Sequence, residues 1–394
     1  MTWHVLDIGS IWIKEFTSAL GLSVPTLGWS RHMKMWAPNL SIGSQRKIPD
    51  PPLKYIPFDL QRGYYRFPIA QLTRFGHKLS SAIADVSDDP PSSPLICTSA
   101  FFAPVAEEWR GPVLYYLTDF TAKYANMNSD VVRSFDTRMC GRADAVFPNS
   151  ERIAQYLVRE AACDSSKITV VPNATRTDNI PDEPLRSAAQ LPPDVAHLPR
   201  PIAGIVGNLS HNMDWILLRD AIARTPWLTW LFVGPASGAI PDKEQRLARQ
   251  EVMASGKRVF FTGEKHYGDL QGYARAFDVA ILPYKKKEPT FSGSATRFYE
   301  HLAACRPIIS TPGVYELLDK EPLLALALSA DDLVMRLEKL KETDFVDGFE
   351  TLRWKNSRSG TWGCRAAVIR DSIKKGPPKT DKQVAESPLE IASH

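Results

Sequence analysis

The chain has 394 residues, 44% of them apolar and 23% charged, with a formal net charge of +4. That length accommodates two ordinary domains with a core each, and that balance excludes a disordered or fibrous chain. A charge this mild gives no argument for nucleic acid, while an anionic small molecule or a membrane surface stays compatible with it.

Five scattered cysteines fit unpaired thiols in a reducing cytoplasm. The opening residues, MTWHVLDIGSIWIKEF, show no basic segment ahead of an apolar one, so no signal peptide is read. The longest apolar candidate, Leu323–Leu328, is far too short to span a bilayer. The expectation is a cytoplasmic protein, with peripheral contact at the inner membrane face left open.

In chain order, His4–Ile8 reads as a first strand and Gly9-Ser10 as its turn. Trp29–Trp36 mixes large apolar and basic residues without a clean period, and Pro49–Pro57 reads as a proline-rich loop. Gln71–Asp85 has helical spacing, and FFAPVAEEW is a connecting helix between the apolar runs Leu95–Thr98 and Val113–Leu117. Then come a helix over Asp130–Gly141, a strand at Ala145–Pro148, a helix over Ser150–Ala162 and a strand at Ile168–Val171. Such alternation predicts a doubly wound α/β domain.

The interval Asp178–Pro201 has little periodicity and many prolines, which marks it as a linker. The alternation then restarts, with strands at Ile202–Val206, Thr229–Val233, Val259–Thr262 and Val279–Leu282. Helices over Trp215–Arg224, Lys243–Ala254 and Tyr267–Ala276 separate them, and Ala330–Lys341 and Trp362–Ile373 add two more. The predicted organisation is an N-terminal domain over 1–180, a linker over 181–200 and a C-terminal domain over 201–353. A last helix within 354–375 crosses back, and 376–394 is expected to be a disordered tail. Two Rossmann-like halves imply a ligand cleft outside the carboxyl ends of their strands.

The stretch Ser292–Thr311, SGSATRFYEHLAACRPIIST, carries the clearest chemistry. Ser294 reads as N-cap, Ala295–Ala304 as a helix stopped by Pro307, and Ile308–Thr311 as a buried strand. Arg297 and Glu300 share one helical face. A cation in a first turn opposes the helix dipole, which suits Arg297 to a phosphate beside the small Ser292-Gly293-Ser294 loop. Glu300, one turn deeper, offers two acceptor oxygens to a diol. Phosphate plus diol describes a nucleotide; a solvated i, i+3 salt bridge describes the same spacing.

Several signatures are missing. No G-x-G spacing and no Walker loop occur, which argues against a dehydrogenase and a P-loop NTPase. There is no D-x-D and no His/Cys set at ligand spacing, so no metal and no cofactor are inferred.

The stretch from Arg297 to Thr311 resembles the nucleotide-sugar-binding helix of GT-B glycosyltransferases, in the branch reading K/R-x-x-E-Y/H-L-A-A-G-x-P-V-V-S-T, with Cys305 at the usual Gly. The likeness extends to Gly204–Pro235, to Val259–Tyr284, to Lys167–Thr175 (KITVVPNAT, with Ala174 where Gly is usual) and to Trp362–Arg365. It implies a GT-B fold, two Rossmann-like doubly wound domains facing each other across a cleft. By the resemblance Glu300 binds ribose hydroxyls and Arg297 the diphosphate. The related E-x7-E pattern would place a Glu where Ser292 stands, and that departure leaves the anomeric outcome open.

Within that frame Gly207 and Asn208, just after a strand, would turn backbone N–H groups to the diphosphate or the donor sugar. A plain turn with Ser210 as N-cap fits equally. His211 is either a surface histidine or a ligand contact, and Gly263-Glu264 would sit at the nucleobase rim. Lys285–Lys287 are a solvated face or an addition to the positive field. Asp119, in LYYLTDF, lies just past a buried strand, where a carboxylate can act as base on an acceptor hydroxyl or merely cap a turn. Related enzymes carry Asp in the corresponding segment.

The expected function is transfer of a sugar from a nucleotide diphosphate sugar, the donor substrate, to an unidentified acceptor, without metal and without nucleic acid. Two alternatives remain: a nucleotide-sugar epimerase of the same fold, and a catalytically silent GT-B binding partner.

Overall fold

The computed structural model describes residues 1–35, 40–256 and 258–373. In the first half β1 (Trp3–Leu6), α1 (Ile11–Gly21) and β2 (Thr26–Lys34) are followed by β3 (Ser41–Ile42), β4 (Arg46–Pro49) and β5 (Pro52–Gln61). Next come α2 (Ile69–Asp85), β6 (Leu95–Cys97), α3 (Ala103–Glu108), β7 (Val113–Leu117), α4 (Ser129–Arg142), β8 (Ala145–Pro148) and α5 (Glu151–Glu160). Their sheet is ordered β3-β5-β2-β1-β6-β7-β8, with β4 also on β5. All pairs are parallel except β3 and β4, which run back along β5.

The second half holds β9 (Ile202–Val206), α6 (Trp215–Arg224), β10 (Thr229–Val233), α7 (Lys243–Ala254), β11 (Val259–Phe261), α8 (Leu270–Ala276) and β12 (Val279–Leu282). Then follow α9 (Thr296–Ala304), β13 (Ile308–Ser310), β14 (Ala325–Leu326), α10 (Ala330–Glu342), α11 (Glu350–Ser359) and α12 (Trp362–Ser372). This sheet is ordered β11-β10-β9-β12-β13-β14 and is parallel throughout.

Alternation along each strand feeds a core on both faces, the doubly wound arrangement. In β7, Val113, Tyr115 and Leu117 pack on one side with α2, α3 and α4, while Leu114 and Tyr116 pack on the other with Phe16 of α1. Trp362, Ala366 and Ile369 of α12 join that second face, so the chain's last described helix is built into the first half. In the second sheet Ile205, Phe232 and Ile281 face α6, α7 and α10, whereas Leu282 and Ile308 face α9.

Two local expectations are corrected, at Pro49–Pro57 and at Ile168–Val171, and the unassigned stretch from Trp29 is placed. Pro49–Pro57 is not a loop but mostly β5, whose Leu53, Ile56, Phe58 and Leu60 are buried. Pro57 is tolerated there because its carbonyl is what the neighbour uses, accepting from Gly43 N at 2.8 Å. Trp29–Lys34 belongs to β2, which shows no period because Leu27 and Trp29 are buried at its start and Met33 and Lys34 are exposed at its end. Ile168–Val171 forms only an isolated bridge, Val146 to Ile168, with Thr169 N and Val171 N donating to β8 carbonyls. The helix expected over Ala295–Ala304 does end at Ala304, and Cys305, at φ 62°, turns the chain out of it before Pro307 is reached. Segment 376–394, expected as a tail, and Trp36 lie outside the described residues.

Candidate active site

Because the strands run parallel, the loops leaving their carboxyl ends gather on one rim of each sheet. The two rims enclose a cavity of about 380 Å³. Asp119 and Asn149 enter it from the loops after β7 and β8; Gly207 and Asn208 enter from the loop after β9; Gly293, Ser294 and Arg297 enter at the start of α9. A larger hollow of about 890 Å³ lies by the opposite ends of β7 and β8, against α12, and contains none of the candidate catalytic or donor-binding residues.

Arg297 and Glu300 are paired, Nη1 to Oε2 at 2.5 Å. The pair is not on a solvated face: the side chains keep only 14% and 6% of their exposure. Gly207 makes room for it. A Cβ at Gly207 would stand 3.3 Å from Arg297 Nε, and its φ of 135° suits only glycine comfortably. Gly234, also at φ 137°, lets the Gly207 carbonyl approach so closely that a Cβ would fall 1.9 Å from its oxygen. The guanidinium thus rests on bare backbone at the end of β9. The Tyr267 hydroxyl is buried toward this pair, and burial first, then the Glu300 charge, keeps it protonated.

The start of α9 departs from the expected cap. Ala295 occupies the N-cap position with no side-chain cap bond. The acceptor comes instead from Glu316, whose Oε2 takes Ala295 N–H at 2.8 Å. A carboxylate there answers the helix dipole that Arg297 opposes. Ser294 is committed elsewhere, because its Oγ accepts from Asn173 N at 3.0 Å. Asn173 Nδ2 also donates to Ser294 O at 2.9 Å and to Thr296 Oγ1 at 3.0 Å.

Ser292 does not line the cavity; it is fully buried. Its carbonyl accepts from Ser150 Oγ at 2.5 Å, and its hydroxyl donates to Glu288 Oε1 at 2.6 Å. Ser150 meanwhile caps α5 through Ile153 N. The small Ser292-Gly293-Ser294 loop is therefore a fastened one.

Asp119 faces the cavity from the opposite wall. Its side chain is open to the cleft, yet the surrounding walls exclude enough water to raise its pKa to about 6, against a lowering hydrogen bond from the Tyr124 hydroxyl. A carboxyl held there can exchange a proton near neutral pH. Asn149 buttresses the same rim, donating from Nδ2 to Thr118 O at 2.5 Å.

The remaining sequence candidates lie off the cavity wall. His211 and Glu264 are exposed, and Gly263, at φ 72°, bridges to Gly234 beside β11. Ser210 does not cap the next helix; Asp214 does, accepting from Leu217 N at 3.1 Å. Lys285 pairs with Asp242 at 3.3 Å and Lys286 lies over the Phe291 ring, so neither points to the cavity alone. Among the described residues no group of His, Cys, Asp or Glu is arranged to hold a metal. Asn173 and Glu316 were not singled out: each acts across a long sequence interval, and no local pattern announces it.

No family model matches the chain. A Bacillus subtilis (strain 168) protein provisionally named the teichuronic acid biosynthesis glycosyltransferase TuaH is 22% identical over 337 residues, covering 77% of this chain and 78% of its own length. Anabaena HepE, solved in complex with UDP and glucose, superposes with a TM-score of 0.66 at 15% identity, over 95% of this chain and 100% of that one. Sucrose-phosphate synthase of Thermosynechococcus elongatus gives a TM-score of 0.67 at 16% identity, over 95% and 98%. With two doubly wound halves that superpose over 95% of its length on these structures, the chain has the GT-B fold.

Proposed function

We propose that this protein is a glycosyltransferase that moves a sugar from a nucleotide diphosphate sugar to an acceptor hydroxyl. Residues 201–353 form the donor side and 1–180 the acceptor side of the cleft. The observation that carries the reading is the opposition, across one cavity, of Arg297 at the start of α9 and Asp119 past β7. Arg297 takes the diphosphate, and Glu300 the ribose hydroxyls. The Gly207-Asn208 turn lies against the same phosphates, and His211 and the Gly263-Glu264 rim extend the donor side toward the base.

Chemically, the acceptor oxygen forms a bond to the anomeric carbon while the bond from that carbon to the phosphate oxygen breaks. The acceptor's proton passes to Asp119, and the departing diphosphate carries its added charge to Arg297. The reading extends to hexosyl transfer in the Arg297–Glu300 motif branch described above. Neighbouring structures hold UDP and UDP-glucose, which makes uracil the base to test first.

The test is a thermal shift and calorimetric screen of UDP, GDP, ADP and their sugars, followed by an assay of nucleoside diphosphate release with an acceptor panel. Binding followed by acceptor-dependent release supports the proposal; no binding of any nucleotide sugar refutes it. Ser292, buried where the E-x7-E pattern has Glu, favours one second reading, a protein that binds nucleotide sugar without transferring it. Binding without release across the panel selects that reading.

A further inference from the structure

Beside the cleft, on the side proposed for the acceptor, lies a smaller hollow of about 210 Å³. Phe120, the residue after Asp119, lines both, and Glu288 of the smaller hollow directly precedes Pro289 of the larger. Pockets that hold a whole drug-sized ligand run to about 300–1,000 Å³. This one suits a single group of a molecule whose remainder reaches the cleft.

The lining of the hollow is cationic and comes from two short stretches. On α5, Arg152, Gln155 and Arg159 fall at i, i+3 and i+7 and so share one face. Lys123 ends the short turn Thr121–Lys123 just past Asp119. Two acids, Glu160 and Glu288, stand in the same lining, and each has a partner. Glu160 lies 4.0 Å from Arg133, which is outside the hollow. Glu288 Oε1 accepts the Ser292 hydroxyl at 2.6 Å, and its Oε2 is buried.

The cations, by contrast, keep most of their donors. The Arg152 guanidinium lies 5.6 Å from the Phe291 ring centre and 5.4 Å from that of Tyr315, and its Nε reaches Ser292 Oγ at 3.5 Å. Its Nη2 stands 4.0 Å from Glu288 Oε1, too far for a hydrogen bond. The stacked rings therefore fix the plane of a fork whose two Nη groups are unused. Such a fork matches the paired oxygens of a carboxylate or phosphate. Among the described residues the Arg159 side chain makes no ion pair or hydrogen bond, and Lys123 has only its Nζ over the Phe120 ring at 5.7 Å. Arg152 also sits in the first turn of α5, where a cation opposes the helix dipole and a bound anion would offset that cost. The Gln155 amide, likewise without a hydrogen bond among the described residues, can both donate to and accept from sugar hydroxyls.

We propose that Lys123, Arg152 and Arg159 hold an oxyanion carried by the acceptor, so that the preferred acceptor is an acidic sugar, a uronate or a sugar phosphate. Gln155 meets a hydroxyl of that sugar, and another hydroxyl is presented to Asp119 across Phe120. The assignment to the acceptor rests on the transfer reading above; the preference of the hollow for sugar acids does not.

Ligand-observed NMR titration of the full chain tests it, using methyl β-glucuronide, glucose 6-phosphate, the neutral methyl β-glucoside and inorganic phosphate, each with and without UDP. The expected result is binding of a sugar acid at least about tenfold tighter than the glucoside, a margin narrowed by added salt. The tighter of the two sugar acids identifies the source of the oxyanion. Lys123→Ala with Arg159→Ala, both exposed positions, should remove that margin while melting temperature and UDP affinity stay at parental values. No binding of either sugar acid, equal binding of acidic and neutral sugars, or a margin that survives in the variant overturns the proposal. Inorganic phosphate binding as tightly as glucose 6-phosphate also overturns it, since the hollow would then hold a free anion and no part of an acceptor. UDP affinity is read in the same titrations: a missing margin with UDP bound strikes this subsite alone, whereas absent nucleotide binding strikes the transfer reading.

Discussion

Arg297 Nη1 and Glu300 Oε2 are bonded at 2.5 Å in a site from which water is largely excluded. The two groups proposed to hold phosphate and ribose therefore also fix each other's position, and each keeps further N–H donors or acceptor oxygens beyond that bond.

Arg297→Ala should weaken UDP binding by about 1.5–3 kcal/mol, the scale of a hydrogen bond to a charged group, and leave uridine affinity nearly unchanged. Titration calorimetry with both ligands measures it. Equal losses would remove Arg297 from the phosphate.

Glu300→Ala should weaken nucleotide-sugar binding by about 1–3 kcal/mol through the lost ribose contacts. The 2′-deoxy nucleotide should show a much smaller difference between parent and variant. An unchanged affinity for the ribonucleotide would return Glu300 to a purely structural partner of Arg297.

For Asp119, desolvation by the surrounding cleft walls raises the pKa to about 6, so the carboxylate is the minor form below that pH. Turnover should fall as pH drops through about 6, and Asp119→Asn should cut it by about 10²–10⁴-fold with donor affinity kept. A variant turning over at parental rate would exclude Asp119 as the base.

Glu15 of α1 lies buried in the interior, 3.8 Å from Arg176, and desolvation raises its pKa to about 7 despite that cation. The folded state thus keeps a proton that the unfolded chain gives up, and stability falls as pH rises from the usual carboxylate range to about 7. Glu15→Gln removes this dependence. The melting temperature of the variant relative to the parent should rise across that interval and level off above it. A pH-independent difference would contradict the assignment.

Asn173→Ala removes two side-chain hydrogen bonds, to Ser294 O and Thr296 Oγ1, and should cost about 1–3 kcal/mol of stability. The bond from the Asn173 backbone N–H to Ser294 Oγ survives. Urea unfolding gives the value, and a change below about 0.5 kcal/mol would show that the bonds are replaced by water.

What the sequence made legible follows from how each element is buried. Strands such as Val113–Leu117, Ile202–Val206 and Thr229–Val233 are covered on both faces, appear as unbroken apolar runs, and were read to the residue. The edge from β2 to β5 is apolar at one end and exposed at the other, so its proline, lysine and methionine content masked it. α1 was missed as well, since its buried residues include Glu15, Thr17 and Ser18 beside Phe16 and Leu20, which blurs any stripe. At the site, Arg297 and Asp119 stood out because each lies at a strand or helix end, where position alone suggests a role. Glu316, Asn173 and Ser150 do their work on partners 21, 121 and 142 residues away, and such contacts exist only once the chain has folded.

The bonds that Ser150 and Asn173 make to residues 292–296 decide where this protein tolerates changes in length. Arg297 directly follows the fastened residues, so its distance from the first sheet is set within a few residues of itself and not by the linker over 181–200. Insertions in that segment, away from Val195 and Leu198, which it carries into the core, cost little more than a longer closed loop and leave the proposed phosphate contact in register with Asp119. A single residue added between Pro289 and Ala295 would break the register, although it lies on no strand. Natural variation in chain length should accordingly collect in the linker and avoid the seven residues ahead of α9.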